Sequence, residues 1–280
     1  MIGVFDSGVG GLTAVKQIFK YLPSYQVIYF GDTARVPYGS KSPETIRQYA
    51  LEDADFLVAR GAKIILIACN TVSSVAYDLL NGHYPVPVLD IIMPGVKAAL
   101  LATKNGKIGV IGTIATVNSD THRNFLNRLD PSVAVYYQAC PLLVSLAEHN
   151  TIRIEITRMI VEDYLKPLLG EGIDTLILAC THFPHFREII REVVGEEVVL
   201  IDPAEQAALD LSRLLGKNKK LDASLTRGNR HKFFVSDLPN EFRQTCRKFL
   251  GKEIGNVRKV KIEDIFILNG YGKKEKRKSS

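Results

Sequence analysis

The sequence predicts an α/β protein of two pseudo-symmetric, doubly wound domains with mainly parallel sheets and a site in the cleft between them. Three observations carry that expectation. Two stretches, residues 63–71 and 174–182, each hold a branched apolar run that stops at a cysteine and then turns polar. Such runs read as strands buried on both faces of a parallel sheet. Each is followed by helix signals: Asn70 and Thr71 suit a cap for a helix ending near Asn81-Gly82, and Thr181 with Pro184 opens one that stops at Gly195. Landmarks also recur at near-constant spacing. Ile108 follows Ile2 by 106 positions, Val133 follows Val27 by 106, Cys180 follows Cys69 by 111 and Asp202 follows Asp90 by 112. Alternating strand–helix units would explain the strands alone. Two Ala-Cys endings in register point to an internal duplication.

Taken in order, the first strand is Ile2-Gly3-Val4-Phe5, running into Asp6-Ser7-Gly8-Val9-Gly10-Gly11. Leu12, Val15, Ile18, Phe19 and Leu22 then recur at helical spacing. Val27-Ile28-Tyr29-Phe30 is the second strand, leading to Gly31-Asp32-Thr33 and a loop with Pro37-Tyr38-Gly39. A helix around 43–60 precedes the Cys69 strand, and residues 86–90 read as a fourth strand. The second half repeats this order through Ile201 and Asp202. Beyond it, a helix near 204–216, a strand at 232–235, a helix at about 238–250 and a strand-like 257–262 have no counterpart in the first copy. The expected division is residues 1–92 with about 208–268 as one discontinuous domain, 93–207 as the second, and 269–280 as a basic disordered tail.

Composition excludes several classes. With 46% hydrophobic and 24% charged residues among 280, the chain has ample material for a core. No run approaches the ~20 apolar residues of a membrane helix, and the first residues lack the pattern of an export signal. Four cysteines, at 69, 140, 180 and 246, form no C-x-x-C pair, so free thiols in a reducing cytoplasm are expected. Of the net charge of +6, residues 273–280 supply five basic groups against one acidic, so the tail rather than a nucleic-acid surface explains it.

The two cysteines fall at the carboxyl ends of central strands, where open α/β sheets bind ligands. Two equivalent halves facing each other would set Cys69 and Cys180 on opposite walls of one cleft. One thiol on each side suits removal of a proton from one face of a carbon and its return to the other. An ordinary thiol ionises near 8.5, so one can wait as base and the other as acid, given local help. His182 and Asp6 are the nearest helpers. Taken alone, each cysteine is more often a small buried core residue. Cys140, Cys246, His83, His122, His149 and His231 are read as structural. Cys180, His182 and His185 could be imagined as metal ligands, but Pro184 between the histidines and the lack of a second cluster argue for no metal. The glycine-rich turn fails the dinucleotide pattern, since Thr13 occupies the third glycine position, though its amides suit a carboxylate. A redox switch joining the two cysteines needs Cα atoms within ~7 Å, which leaves no room for a substrate.

The set Phe5-Asp6-Ser7-Gly8-Val9-Gly10-Gly11-Leu12, Gly31-Asp32-Thr33, Pro37-Tyr38-Gly39, Ala68-Cys69-Asn70-Thr71, Gly112-Thr113 with Thr116, and Cys180-Thr181-His182-Phe183-Pro184 resembles the glutamate racemases of the cofactor-independent aspartate/glutamate racemase family. The resemblance covers about residues 2–268 and implies racemisation of glutamate without cofactor, supplying D-glutamate for peptidoglycan. It implies that Cys69 acts on the D enantiomer and Cys180 on the L, with Asp6, His182 and Glu148 as helpers. It implies substrate binding by Asp6, Ser7, Tyr38, Gly39, Asn70, Thr71, Thr116, Thr181 and His182. A homodimer is compatible with it. Aspartate racemisation by the same two thiols, and a non-catalytic two-domain amino-acid binder, are the alternatives.

Overall fold

The computed structural model describes residues 1–148, 153–238, 242–255 and 257–261. The basic tail, residues 262–268 of the returning segment, residues 239–241 of the expected 238–250 helix and His149 lie outside them. The first half runs β1 (Ile2–Asp6), α1 (Leu12–Tyr21), β2 (Val27–Gly31), a 3₁₀ turn (Tyr38–Ser40), α2 (Pro43–Ala59), β3 (Ile64–Ile67), α3 (Asn70–Leu80), β4 (Val88–Leu89) and α4 (Ile92–Ala102). The second runs β5 (Lys107–Gly112), α5 (Ile114–Asn118), α6 (Thr121–Leu129), β6 (Ala134–Ala139), α7 (Pro141–Glu148), α8 (Ile154–Gly170), β7 (Thr175–Ala179), a 3₁₀ turn (Phe183–Phe186), α9 (Arg187–Val194) and β8 (Val199–Ile201). Then come α10 (Pro203–Lys217), α11 (Lys219–Ser224), β9 (Lys232–Val235), α12 (Phe242–Leu250) and β10 (Val257–Lys259).

Two parallel sheets result. One has the order β10-β9-β2-β1-β3-β4 and the other β6-β5-β7-β8. The cores β2-β1-β3-β4 and β6-β5-β7-β8 are the same order written twice, as the duplication requires. In each, the first strand of the copy is central: Phe5 lies opposite Phe30 and Ile67, and Gly112 opposite Ala139 and Ala179. β1, β2 and β7 are buried at every residue, which is why they read as unbroken apolar runs rather than alternating ones. The unmatched C-terminal segment adds β9 to the free edge of β2 and β10 beyond it.

Three local expectations change. Asn70 and Thr71 do not cap α3 but form its first turn; Cys69 occupies the cap position with extended backbone (φ −74°, ψ 118°). Past Cys180 the chain makes a 3₁₀ turn, Phe183–Phe186, before α9; Pro184 sits at the start of that turn, where its missing N–H has no partner to lose. The fourth strand shrinks to Val88–Leu89, flanked by prolines at 85 and 87 that cannot donate to a ladder.

Candidate active site

A cavity of about 190 Å³ opens where the carboxyl ends of β1, β3, β5 and β7 converge. That is small beside the roughly 300–1,000 Å³ of a drug-sized pocket. Both Cys69 and Cys180 line it, one following β3 and the other β7, and neither is more than 6% exposed. Of the other residues singled out from sequence, Ser7, Tyr38, Gly39, Asn70, Thr71, Thr181 and His182 line it too. Asp6, Thr116 and Glu148 do not. Asp6 is fully buried behind Thr181, whose Oγ1 lies 3.5 Å from Asp6 Oδ1. Thr116 is also fully buried and sits 3.3 Å from Thr71 Oγ1. Glu148 meets the lining through His182, whose Nε2 lies 2.9 Å from Glu148 Oε1.

The lining also includes Thr113, Val36, Ile114, Pro141 and Val144, which sequence reasoning did not assign to the site. For Thr113 the signal was available: it follows Ser7 by the same 106 positions as the strands. Its hydroxyl pairs with Thr71 Oγ1 at 2.9 Å, tying the start of α3 to the end of β5. The apolar ones carry no chemical signature and are found only by folding.

The two thiols have different surroundings. Cys69 Sγ donates to Ser7 Oγ at 3.5 Å. Burial, then the nearby Asp6 carboxylate, push it up to about 12, against the help of Ser7 and the Val72 amide. Cys180 Sγ lies 3.7 Å from His182 Nδ1, and His182 Nε2 lies 2.9 Å from Glu148 Oε1. Burial opposes the charged imidazole, but Cys180 and Glu148 outweigh it and lift His182 to about 10. An imidazolium donating at both nitrogens matches a thiolate on one side and a carboxylate on the other. The buried Asn70 Oδ1 has no hydrogen-bond partner among the described residues and belongs to a residue of the lining. A ligand's N–H group would satisfy it.

The glycine-rich turn does something other than expected. The amides of Gly8 (3.0 Å) and Gly11 bind the carboxylate of Asp6 itself. Those bonds and His182 oppose the rise that burial imposes on Asp6. Gly10 permits close approach of the second half: a Cβ there would meet Thr181 Oγ1 at 2.3 Å and His182 Cε1 at 2.7 Å. Among the described residues no group of three or more His, Cys, Asp or Glu could hold a metal ion.

Residues 2–211 match the family model described as Asp/Glu/Hydantoin racemase. The chain is 45% identical over 262 residues to the glutamate racemase of Geobacter metallireducens, covering 94% of this chain and 97% of that protein. Its fold superposes on glutamate racemase isoform RacE1 of Bacillus anthracis with TM-score 0.87 at 37% identity, covering 93% and 97% of the two chains. The glutamate racemase of Francisella tularensis, solved in complex with D-glutamate, gives TM-score 0.85 at 38% identity over 94% and 98%. With two matching thiols on one cavity and matches of this extent, the chain belongs to the Asp/Glu/hydantoin racemase family.

Proposed function

We propose that the protein interconverts L- and D-glutamate by proton transfer at Cα between two thiols, and so supplies D-glutamate for peptidoglycan. The observation that carries this reading is that Cys69 and Cys180, at equivalent strand ends, border one small cavity. With L-glutamate bound, Cys180 as thiolate takes the α-proton while His182 and Glu148 hold the compensating charge. Cys69, kept as a thiol by burial and by Asp6, gives its proton to the opposite face. The roles exchange when D-glutamate enters. Hydroxyls of Ser7, Thr71 and Thr181 and the amides at the start of α3 receive the carboxylates, and Asn70 Oδ1 accepts from the ammonium. The existence of two separate sheets supports a division into residues 1–92 with about 208–268 and residues 93–207, two units that in this reading part to admit substrate and close to exclude water.

The test is racemisation in deuterated water with no added cofactor. Each enantiomer should yield the other with deuterium at Cα, and Cys69→Ser or Cys180→Ser should each slow this by about 10²–10⁴-fold. A protein that binds glutamate but turns over neither enantiomer would reduce the reading to an amino-acid binder. Faster turnover of aspartate than glutamate would move it to aspartate racemisation.

A further inference from the structure

Behind the Tyr38–Ser40 turn lies a buried ionic cluster that proton transfer at the thiols does not use. Arg35 donates from Nε to Asp32 Oδ2 at 2.5 Å, from Nη1 to Glu52, and from Nη2 to Asp53 Oδ1 at 3.3 Å. Three carboxylates thus share one guanidinium, and none of the four side chains is more than 10% exposed. The ring of Tyr49 lies 3.9 Å from the guanidinium and 5.4 Å from the ring of Tyr38.

Counting donors shows where a hydrogen is missing. The Tyr38 hydroxyl touches two carboxylates, Asp32 through Oδ2 and Asp53 through Oδ2 at 3.1 Å. A phenol has one hydrogen to give. The Ser236 hydroxyl accepts from the Ala34 amide at 2.8 Å and donates to Asp32 Oδ1 at 2.7 Å. Asp32, served by Ser236 and Arg35, is therefore the ionised acceptor, and the phenol hydrogen points to it. Glu52 is likewise ionised, receiving from Arg35 and from Gln48 Nε2 at 3.0 Å. The approach of Asp53 Oδ2 to the same phenol oxygen then requires a hydrogen on Asp53.

We propose that Asp53 is a positioning residue, held as a neutral acid that donates to Tyr38 and thereby fixes the Tyr38-Gly39 wall of the cavity. The fit of that wall is tight: a Cβ on Gly39 would meet Thr113 Cβ at 2.6 Å, so a small shift of Tyr38 moves the boundary of the site. The direction of Asp53's titration agrees. Burial first, then the Asp32 and Glu52 carboxylates, hold it well above the ordinary carboxylate range, with Arg35 and the Tyr38 contact opposing. Among the described residues outside the cluster, the phenols of Tyr29 on β2 and of Tyr84 after α3 also sense its charge. Ionising Asp53 sets two acceptors against one phenol hydrogen and loosens the wall.

Two arms test this, and only the kinetic one rests on the glutamate reading. Infrared spectra of protein carrying ¹³C-labelled aspartate should show a protonated-carboxyl stretch at neutral pH that disappears in Asp53→Asn. Absence of the band in the parent overturns the proposal whether or not the protein racemises glutamate. In the kinetic arm, Asp53→Asn retains an N–H that can donate to Tyr38, so it should keep kcat and KM within about threefold and abolish an alkaline rise in KM. Asp53→Leu should raise KM roughly tenfold while kcat falls less. Collapse of kcat in Asp53→Asn with an unchanged circular dichroism spectrum also overturns it. Should that variant not fold, Asp53→Glu moves the carboxyl outside the aspartate label and should remove the band in the same way; a band that persists there overturns the proposal.

Discussion

At the residue scale, the pairing of His182 with Cys180 and Glu148 makes the strongest demands. Its folded value, about 10, lies above the ordinary 6.5. The stability it contributes is complete below the lower value and is lost as pH rises toward the higher one. Thermal unfolding followed between these limits should show a declining Tm in the parent and a flatter profile in His182→Asn. Glu148→Gln keeps the shape but removes the charge, and should lower kcat with L-glutamate by about tenfold or more. Steady-state assays on both enantiomers would check it. Gly10→Ala forces Thr181 and His182 away from the turn and should destabilise the fold by about 1–3 kcal/mol, read from a denaturant midpoint. Of these relations the sequence alone carried little. His182 is nameable from its place two residues after Cys180 and Asp6 from its place at the equivalent strand end, whereas Glu148 comes only from family resemblance, since 34 residues separate it from His182.

At the scale of elements, α2 carries both the cavity wall's support and its charge cluster. Ser42 caps it, accepting from the Thr45 amide at 3.3 Å, so Ser42→Ala should cost about 1 kcal/mol with an unchanged m-value. Asp53 contributes with the opposite sign to a salt-bridged acid. Its folded value is raised, so folding takes up a proton above 3.8 and stability falls as pH climbs through that window. Asp53→Asn should flatten that fall in a series of melts. None of this was legible beforehand. Glu52 and Asp53 sit in a helix whose sequence looks exposed, and only the return of the Asp32–Tyr38 loop buries them. The strands were legible because burial on both faces leaves an unbroken apolar run. The 3₁₀ turn after Cys180 was not, since Pro184 serves a helix start and a 3₁₀ turn equally well.

For the whole molecule, the repeated offsets foretold the repeated strand order, and the site followed from placing equivalent strand ends together. The returning strand was legible as a segment lacking a counterpart, while its pairing with β2 depended on which sheet edge remained free. A ligand held by both halves stabilises the closed, folded form by mass action. Glutamate at about 100 times its Kd should add about 2.7 kcal/mol to unfolding, measurable as a concentration-dependent Tm. Under the proposed parting of the two halves, the 2.9 Å hydrogen bond between the Thr71 and Thr113 hydroxyls is a contact that has to break.

The unequal settings of the two sulfurs carry one more consequence. Mirror-image amino acids have identical free energy in water, so no arrangement of side chains can favour one at equilibrium. With Ser7 and Asp6 beside one sulfur and a charged imidazole beside the other, kcat and KM are free to differ between directions, but only in proportion. Their ratios must coincide, and the lopsided site can choose how fast each hand is processed at saturation without choosing which hand accumulates.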